Sequence, residues 1–226
     1  MIENLGQVIH GYGVVIAIAI MVGLKVVQII AKKEKVDNEL VEEAVVFAVI
    51  GGVIGARLYH VIDEWSYYSI NLLAILKIWR GGLGIFGALM GGAIGLLLFW
   101  RYRRLDRNLG LKLIDMAAIS APLGQALGRV GNYFNQELYG LPTELPWGIY
   151  IKEENRLVSY TQFERFHPLF LYEGLLSLGL FLGLILMYQK NREKIRVGQL
   201  KYLGSYLIGY GLIRFGLEDL RIENMA

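Results

Sequence analysis

The chain contains no cysteine, and only 4 of its 226 residues are proline. Without cysteine it has no disulfide framework, no thiolate nucleophile of its own and no cysteine-based metal site. Charged residues are also few, at 19%, and the formal net charge is only +3. Apolar residues dominate instead: 55% are hydrophobic and the mean hydropathy is +0.44. Because soluble domains average about 45–50% apolar residues even with glycine counted, the composition predicts a membrane protein.

The apolar residues fall into six runs, each close to the ~20 residues that a helix needs to cross the hydrocarbon core of a bilayer. They cover residues 8–30, 44–62, 82–100, 111–127, 168–188 and 199–217. The first run lacks a basic leader and a small-residue cleavage site, so it is not interpreted as a signal peptide. The runs predict an all-α integral membrane protein with about six transmembrane helices in one polytopic domain, residues 1–226.

Basic residues predict the orientation of these helices. They concentrate in the first, third and fifth connectors, within residues 32–35, 101–112 and 190–201. By the positive-inside rule these connectors are cytoplasmic and the N-terminus is extracytoplasmic. We interpret the basic residues as topology signals only, so no nucleic-acid partner is expected.

Two of the connectors on the outer side carry their own structural signals. Four aromatic residues between positions 65 and 79 flank an apolar stretch, 72–78, that is too short to cross a membrane. This pattern predicts an interfacial helix with aromatic anchors. The longest connector, about residues 131–167, has strand-forming stretches at 147–151 and 157–163. It predicts a small extracytoplasmic cap with short strands.

Polar residues cluster where the fourth apolar run meets that cap. Residues 128–140 read GRVGNYFNQELYG and place Arg129, Asn132, Asn135 and Glu137 beside small residues. Ionisable side chains at membrane depth usually face a cavity or a partner. Arginine suits a lipid phosphate because its planar fork donates two hydrogen bonds and stays charged. The alternative is that the glycines are helix-packing contacts and Arg129 extends to the membrane interface.

A second polar group lies in the last run, where Arg214 and Glu218 are four residues apart and could pair on one helix face. In isolation this pattern fits a structural ion pair equally well. Two arginines from different helices, Arg129 and Arg214, would however form a clamp for one phosphate. Tyr12 and Arg57 could complete the wall of that site.

At these residues the chain resembles the prolipoprotein diacylglyceryl transferase family. The run 128–140 fills every fixed position of the signature Gly-Arg-x-Gly-Asn-aromatic-x-Asn-x-Glu-x-aromatic-Gly. Further matching pieces occur in the family's order at residues 9–13, 55–59, 81–85, 167–173 and 210–218. The resemblance therefore covers nearly the whole chain.

The resemblance implies a specific reaction. The family transfers a diacylglyceryl group from phosphatidylglycerol to the thiol of the lipobox cysteine in a pre-lipoprotein. A thioether forms and glycerol phosphate leaves, without a metal or another cofactor. The expected partners are phosphatidylglycerol, the pre-lipoprotein lipobox segment and membrane lipid. The expected location is the bacterial cell (inner) membrane, with the active site toward the outer face.

The resemblance also implies roles for individual residues. Arg129 and Arg214 would hold the phosphate and neutralise it as it departs. Asn132 and Glu137 would orient the head group or these arginines. The remaining substrate-binding residues implied by the motifs are Tyr12, Arg57, Glu218 and Gly140.

The chain departs from the family at the group that would take the thiol proton. Some members carry a histidine just after the double glycine of the third run, where this chain has Phe86. We hypothesise that His60 contributes as a base, because an unperturbed histidine titrates near about 6.5. Glu137 is a second candidate, although it is expected rather to pair with an arginine. Family members also usually continue into one more membrane helix, whereas this chain stops at Ala226.

Two other functions fit parts of the sequence. An inactive phospholipid-binding relative would account for Phe86. A small-solute or lipid transporter would account for polar residues within glycine-rich runs, although the two halves show no internal symmetry.

Overall fold

The computed structural model describes residues 2–191 and 194–222, with side chains from residue 13 onward except that of residue 80. Within these ranges the α-helices are α1 Ile2–Lys33, α2 Asn38–Asp63, α3 Trp65–Tyr68, α4 Ile85–Tyr102, α5 Arg107–Asn135, α6 Leu169–Asn191 and α7 Lys201–Leu217. Short 3-10 helices cover Leu72–Leu76, Ile78–Arg80, Glu153–Asn155, Val158–Tyr160 and Glu218–Leu220. Strands β1 Ile149–Tyr150 and β2 Arg165–Phe166 pair antiparallel.

Four helical stretches in the described part of the chain are long and apolar enough to cross a membrane. They are Gly13–Lys33, Asn38–Asp63, Ile85–Tyr102 and Leu169–Asn191. They coincide with four of the six predicted runs, so the multi-pass membrane character is confirmed. The other two runs are helical, as α5 and α7, but their crossing of the membrane stays a prediction.

Helix α5 is longer than its apolar run. The run ends at residue 127, whereas the helix continues to Asn135 and includes most of the polar motif. Hydropathy marks only where apolar side chains stop, and the backbone hydrogen bonds of α5 continue through the polar residues. The connector to α6 therefore begins at residue 136, and residues 136–168 are called the cap below.

The chain divides into two compact units, residues 28–113 and residues 1–27 with 114–226. In the first unit, α2 and α4 pack through facing glycines. A Cβ added to Gly91 would collide with the carbonyl oxygen of Gly51, and one added to Gly55 would collide with that of Gly87. Only glycine permits the two backbones to approach this closely.

Arg57 of α2 organises the segment between α2 and α4 within the same unit. Its buried guanidinium donates hydrogen bonds to the backbone carbonyls of Ala74 (2.5 Å), Ile75 (2.8 Å), Gly81 (2.9 Å) and Gly82 (3.0 Å). The helix predicted for residues 72–78 takes the form of two short 3-10 helices, Leu72–Leu76 and Ile78–Arg80. Arg57 bonds the carbonyls of Ala74 and Ile75, which a continuing α-helix would bond internally.

The cap belongs to the second unit and has a small core of its own. Tyr139, Ile151, Phe166 and Ile222 are buried together. Strand β1 lies within the predicted stretch 147–151. The strand predicted within 157–163 was wrong.

That stretch contains the 3-10 helix Val158–Tyr160, and the second strand is β2 at Arg165–Phe166. Tyr139 explains the difference, because its hydroxyl accepts a hydrogen bond from the Leu157 amide (3.0 Å) and donates one to the Asn155 carbonyl (2.9 Å). These bonds hold the chain in turns before β2. Burial raises the pKa of the Tyr139 hydroxyl, opposed by the Leu157 amide and by the positive charge of Arg156.

Helix α7 is fixed at both of its ends. At its start, the fully buried carboxylate of Asp115 on α5 accepts hydrogen bonds from the amides of Gly198 (2.9 Å), Leu200 (2.9 Å) and Leu203 (3.1 Å). Leu200 has φ 58°, a left-handed conformation that is uncommon for leucine. After the end of α7, the Leu220 carbonyl accepts a hydrogen bond from the Leu141 amide of the cap (3.0 Å).

Candidate functional site

A single buried carboxylate, Glu173 on α6, joins three helices. Arg129 of α5 donates from Nη2 to its Oε1, and Arg214 of α7 donates from Nη1 to its Oε2 at 3.4 Å. The Tyr210 hydroxyl of α7 also donates to Oε1, at 3.2 Å. A carboxylate in an apolar helix is stable only with such partners. Glu173 therefore fixes the two arginines beside one another.

The charges of this cluster do not cancel. Two guanidinium groups against one carboxylate leave a net charge of +1 (2 − 1). The Glu173 side chain is 6% exposed, whereas those of Arg129 and Arg214 are 18% and 33% exposed. The arginines thus reach past the carboxylate toward the accessible side. Among the described residues, Arg214 donates to Glu173 from one nitrogen, and its guanidinium carries further N–H donors.

The side-chain amide of Asn132 connects Arg129 to Glu137 through two hydrogen bonds. Nη1 of Arg129 donates to Oδ1 of Asn132 (3.3 Å), and Nδ2 of Asn132 donates to Oε1 of Glu137 (2.7 Å). Nδ2 of Asn135 donates to the same Oε1 at 3.2 Å. The expected pairing of Glu137 with an arginine is not formed: two asparagine amides hold its carboxylate instead.

The backbone around Glu137 is strained on both sides. The Gln136 and Glu137 amides donate to the carbonyls of Tyr133 (3.1 Å) and Asn132 (3.0 Å), which closes α5 in a Schellman motif. Gln136 takes the left-handed position of this motif, with φ 51°, where glycine is usual, and Leu138 has φ 53°. Such conformations in residues other than glycine cluster at functional sites.

The predicted pair of Arg214 and Glu218 is not formed. Helix α7 ends at Leu217, and Glu218 starts a 3-10 helix, so the spacing of four residues no longer places the two side chains on one α-helical face. Glu218 pairs with Arg221 instead, at 3.0 Å, and its side chain is 60% exposed. The structure does not bring Glu218 to the cluster around Glu173.

Gly140 has a backbone role in the structure. Its amide donates to the His167 carbonyl at 2.8 Å. A Cβ at this position would lie 2.6 Å from the Leu220 carbonyl oxygen. Gly140 therefore permits the cap to cross the chain segment that follows α7.

The remaining predicted site residues lie outside this cluster or outside the described side chains. Arg57 uses its guanidinium on backbone carbonyls of its own unit. The His60 ring packs edge-on against Tyr68, with 5.8 Å between ring centroids. Phe86 is 63% exposed. The side chain of Tyr12 lies outside the part of the chain that the structure describes.

Glu173 and Tyr210 are the site residues that the sequence did not single out. Both occur in the stretches that match the family, but neither carried a predicted role. A signal was present for Glu173, which interrupts an otherwise apolar helix and must find a cation there. Residues 2–191 and 194–222, where their side chains are described, hold no group of three or more histidine, aspartate or glutamate residues placed for a metal ion.

The fold and the site define a multi-pass membrane protein in which one buried carboxylate holds two arginines from different helices. A family model described as prolipoprotein diacylglyceryl transferase matches residues 1–226. The chain belongs to this family.

Two curated relatives carry the name phosphatidylglycerol–prolipoprotein diacylglyceryl transferase. The protein of Synechococcus sp. (strain CC9902) is 41% identical over 222 residues, which cover 97% of this chain and 78% of the relative. That of Synechocystis sp. (strain ATCC 27184 / PCC 6803 / Kazusa) is 40% identical over 223 residues, covering 97% and 77%. The resemblance noted in the sequence is thereby confirmed.

Proposed function

We propose that this chain transfers the diacylglyceryl group of phosphatidylglycerol to the lipobox cysteine thiol of pre-lipoproteins. A thioether forms and glycerol phosphate is released. The names of the relatives and the family support this reaction. The structural observation that carries it is the pair of arginines held on Glu173 with one positive charge in excess.

The arginine pair suits the charge change of this reaction. The phosphate of phosphatidylglycerol is a diester with one negative charge, and it becomes a monoester when its bond to the diacylglyceryl carbon breaks. The leaving oxygen then gains negative charge. In this proposal Arg129 and Arg214, which Glu173 already holds side by side, stabilise that charge without reorganising during the reaction.

The other polar residues have supporting roles in this proposal. Asn132 orients Arg129 through its Oδ1 and so relates the head-group site to Glu137. Gly140 and Glu218 contribute through the place where the cap crosses the segment that follows α7. Arg57 shapes the segment between α2 and α4, and for Tyr12 we keep the substrate-binding role that the family's motif implies.

We further propose that α5 and α7 cross the membrane, which gives six spans. Helix α5 has 29 residues and α7 has 17, so at 1.5 Å per residue they are about 44 Å and 26 Å long. The basic first, third and fifth connectors then lie in the cytoplasm. The cap and the cluster around Glu173 lie at the outer face of the bacterial cell membrane, where pre-lipoproteins are presented.

The test is a gel-shift assay with purified protein, phosphatidylglycerol and a lipobox peptide. We expect wild type to modify the peptide cysteine and Arg129→Ala to lose this activity. Arg103→Ala is the matched control, because Arg103 is an exposed arginine whose ion pair with Glu43 (3.0 Å) lies in the other unit. It should retain activity.

Further measurements on the same purified protein distinguish the alternative functions. Phospholipid binding by folded wild type without peptide modification would indicate an inactive lipid-binding relative. Solute uptake in proteoliposomes would indicate a transporter. Unchanged turnover in His60→Gln would remove His60 as a base.

A further inference from the structure

Within the part of the chain that the structure describes, a carboxylate with one free oxygen, that of Glu137, lies just after the end of α5. We propose that Glu137 is the base that takes the proton of the substrate thiol, an inference that rests on the proposed transferase reaction. Its carboxylate is held at one oxygen, Oε1, by the amides of Asn132 (2.7 Å) and Asn135 (3.2 Å). Among the described residues, no donor contacts the other oxygen, Oε2, so that oxygen is free to accept a proton.

A second observation separates Glu137 from the other carboxylate of the site. Glu173 is neutralised by two arginines and is buried behind them. Glu137 has no ion pair among the described residues, and its side chain is only partly buried. Protonation of Glu173 would give up two ion pairs, whereas protonation of Glu137 would give up only hydrogen bonds from neutral amides. Glu137 is thus the carboxylate suited to proton transfer.

The backbone conformation on both sides of Glu137 fixes the position of this residue. It is the one residue between Gln136 and Leu138, which both adopt left-handed conformations. The side chain of Gln136 secures this turn, because its Oε1 accepts hydrogen bonds from the Lys152 amide (2.9 Å) and from Nδ2 of Asn155 (3.0 Å). Strain that is maintained by specific contacts is typical of groups that must be presented in one orientation.

Asn132 ties the proton acceptor to the leaving-group site. It bonds Arg129 through Oδ1 and Glu137 through Nδ2. The base and the phosphate-binding guanidinium are therefore separated by one amide group. This spacing suits a reaction in which a thiol is deprotonated and attacks a carbon while the bond from that carbon to the phosphate oxygen breaks.

The reaction exchanges a C–O bond of the lipid for a C–S bond and moves the thiol proton to Glu137. The Glu137 carboxylate accepts the proton of the S–H bond, and the sulfur electron pair forms a C–S bond to the glycerol carbon of the diacylglyceryl group. The C–O bond from that carbon to the phosphate breaks, and its electron pair leaves with the oxygen of glycerol phosphate. Glu137 then returns its proton to the leaving phosphate or to water.

Other titratable groups lie on the elements that contact residues 136–140. Besides Arg129 of α5, they include Lys152, Glu153, Glu154, His167, Glu218, Asp219 and Arg221. No described hydrogen bond or ion pair joins any of them directly to Glu137. His167 does not compete as a base at Nδ1, because that nitrogen is engaged by the Tyr172 hydroxyl at 3.2 Å.

The test compares Glu137→Gln with wild type, using phosphatidylglycerol and a lipobox peptide. Glutamine keeps the shape and the acceptor for the asparagines but cannot take the proton. We expect kcat to fall about 10²–10⁴-fold, the usual contribution of a general base, with little change in KM for the lipid. Glu154→Gln, the same change at an exposed position of the cap, should leave kcat unchanged.

The pH dependence distinguishes a base from a structural residue. Above the ordinary thiol pKa of about 8.5, the peptide is already a thiolate, so the deficit of Glu137→Gln should shrink as pH rises. Asn135→Ala removes one donor that favours the charged carboxylate, so it should move the acid limb of kcat/KM to higher pH. This second variant keeps Glu137 itself and tests the inference even if Glu137→Gln does not fold.

A kcat of Glu137→Gln within about threefold of wild type would overturn the inference. So would a deficit that is the same at pH 6.5 and pH 9, since loss of structure is not relieved by a preformed thiolate. An acid limb unmoved in Asn135→Ala would also contradict it. Failure of wild type to modify the peptide at any pH would instead contradict the proposed transferase function.

Discussion

Neutralising Glu173 should both destabilise the protein and change how it responds to phosphate. Glu173→Gln keeps a hydrogen-bond acceptor for Arg129 but removes the negative charge that two arginines share. Removing one partner of a fully buried ion pair costs about 3–5 kcal/mol. The cost is lower here because Arg214 is one third exposed, so that its contact is closer to a surface pair of at most about 1 kcal/mol. We expect a loss of about 2–3 kcal/mol.

Thermal unfolding in detergent measures this loss. For a chain of this size, each kcal/mol corresponds to roughly 2–4 °C in Tm, so the expected decrease is about 4–12 °C. Ser177→Ala is the matched control. Ser177 is fully buried one helical turn further along α6, and its hydroxyl has no hydrogen-bond partner among the residues that the structure describes. Its replacement should be nearly neutral, because no bond is lost.

Added inorganic phosphate provides the second half of this prediction. Glu173→Gln raises the charge of the cluster from +1 to +2 (2 − 0), so phosphate should bind the variant more tightly and stabilise it more than wild type. A ligand at 100 times its Kd contributes about 2.7 kcal/mol, enough to restore most of the lost stability. A variant as stable as wild type, or one that phosphate stabilises no better than wild type, would refute this account of Glu173.

Two further predictions concern the framework of the site. Asp115→Ala removes a fully buried acceptor from three amides and should lower stability by about 3 kcal/mol in chemical or thermal unfolding, whereas Asp106→Ala, which removes an exposed cap of α5, should cost only about 1 kcal/mol. Gly91→Ala places a methyl group against the Gly51 carbonyl and should cost about 1–3 kcal/mol, whereas Gly92→Ala, whose Cβ would lie 3.4 Å from its nearest neighbour, should be tolerated. Equal Tm values within either matched pair would contradict the packing described for that helix.

The sequence predicted the elements whose signal is local. Apolar runs of about 20 residues marked α1, α2, α4 and α6, because a span must satisfy its own backbone and present apolar side chains along its whole length. The motif at residues 128–140 located Arg129, Asn132 and Glu137 correctly on or beside one helix end. The end of that helix was harder to predict, because Gln136 takes the left-handed position that glycine usually marks.

The interactions between helices could not be predicted in the same way. Glu218 is four residues from Arg214 and was the obvious partner, but the helix ends between them and Glu173 of α6 takes that role. Arg57 was expected to face a phosphate, yet it bonds carbonyls of a segment some 20 residues away in sequence. Sequence spacing describes neighbours on one helix, whereas a buried charge takes whichever partner the tertiary packing brings to it.

The position of Arg214 depends on three contacts that are distant in sequence. Leu200, which precedes α7, lies in the left-handed region, and its amide is held by Asp115 of α5. The last turn of α7 is held by Glu173 of α6, and the segment after it is held by the cap at Leu141. Each contact comes from a different element, so none of them alone sets where the guanidinium of Arg214 lies. A change at any one should therefore move Arg214 relative to Arg129 without unfolding α7, and lipid turnover should respond to such changes more strongly than helix content does.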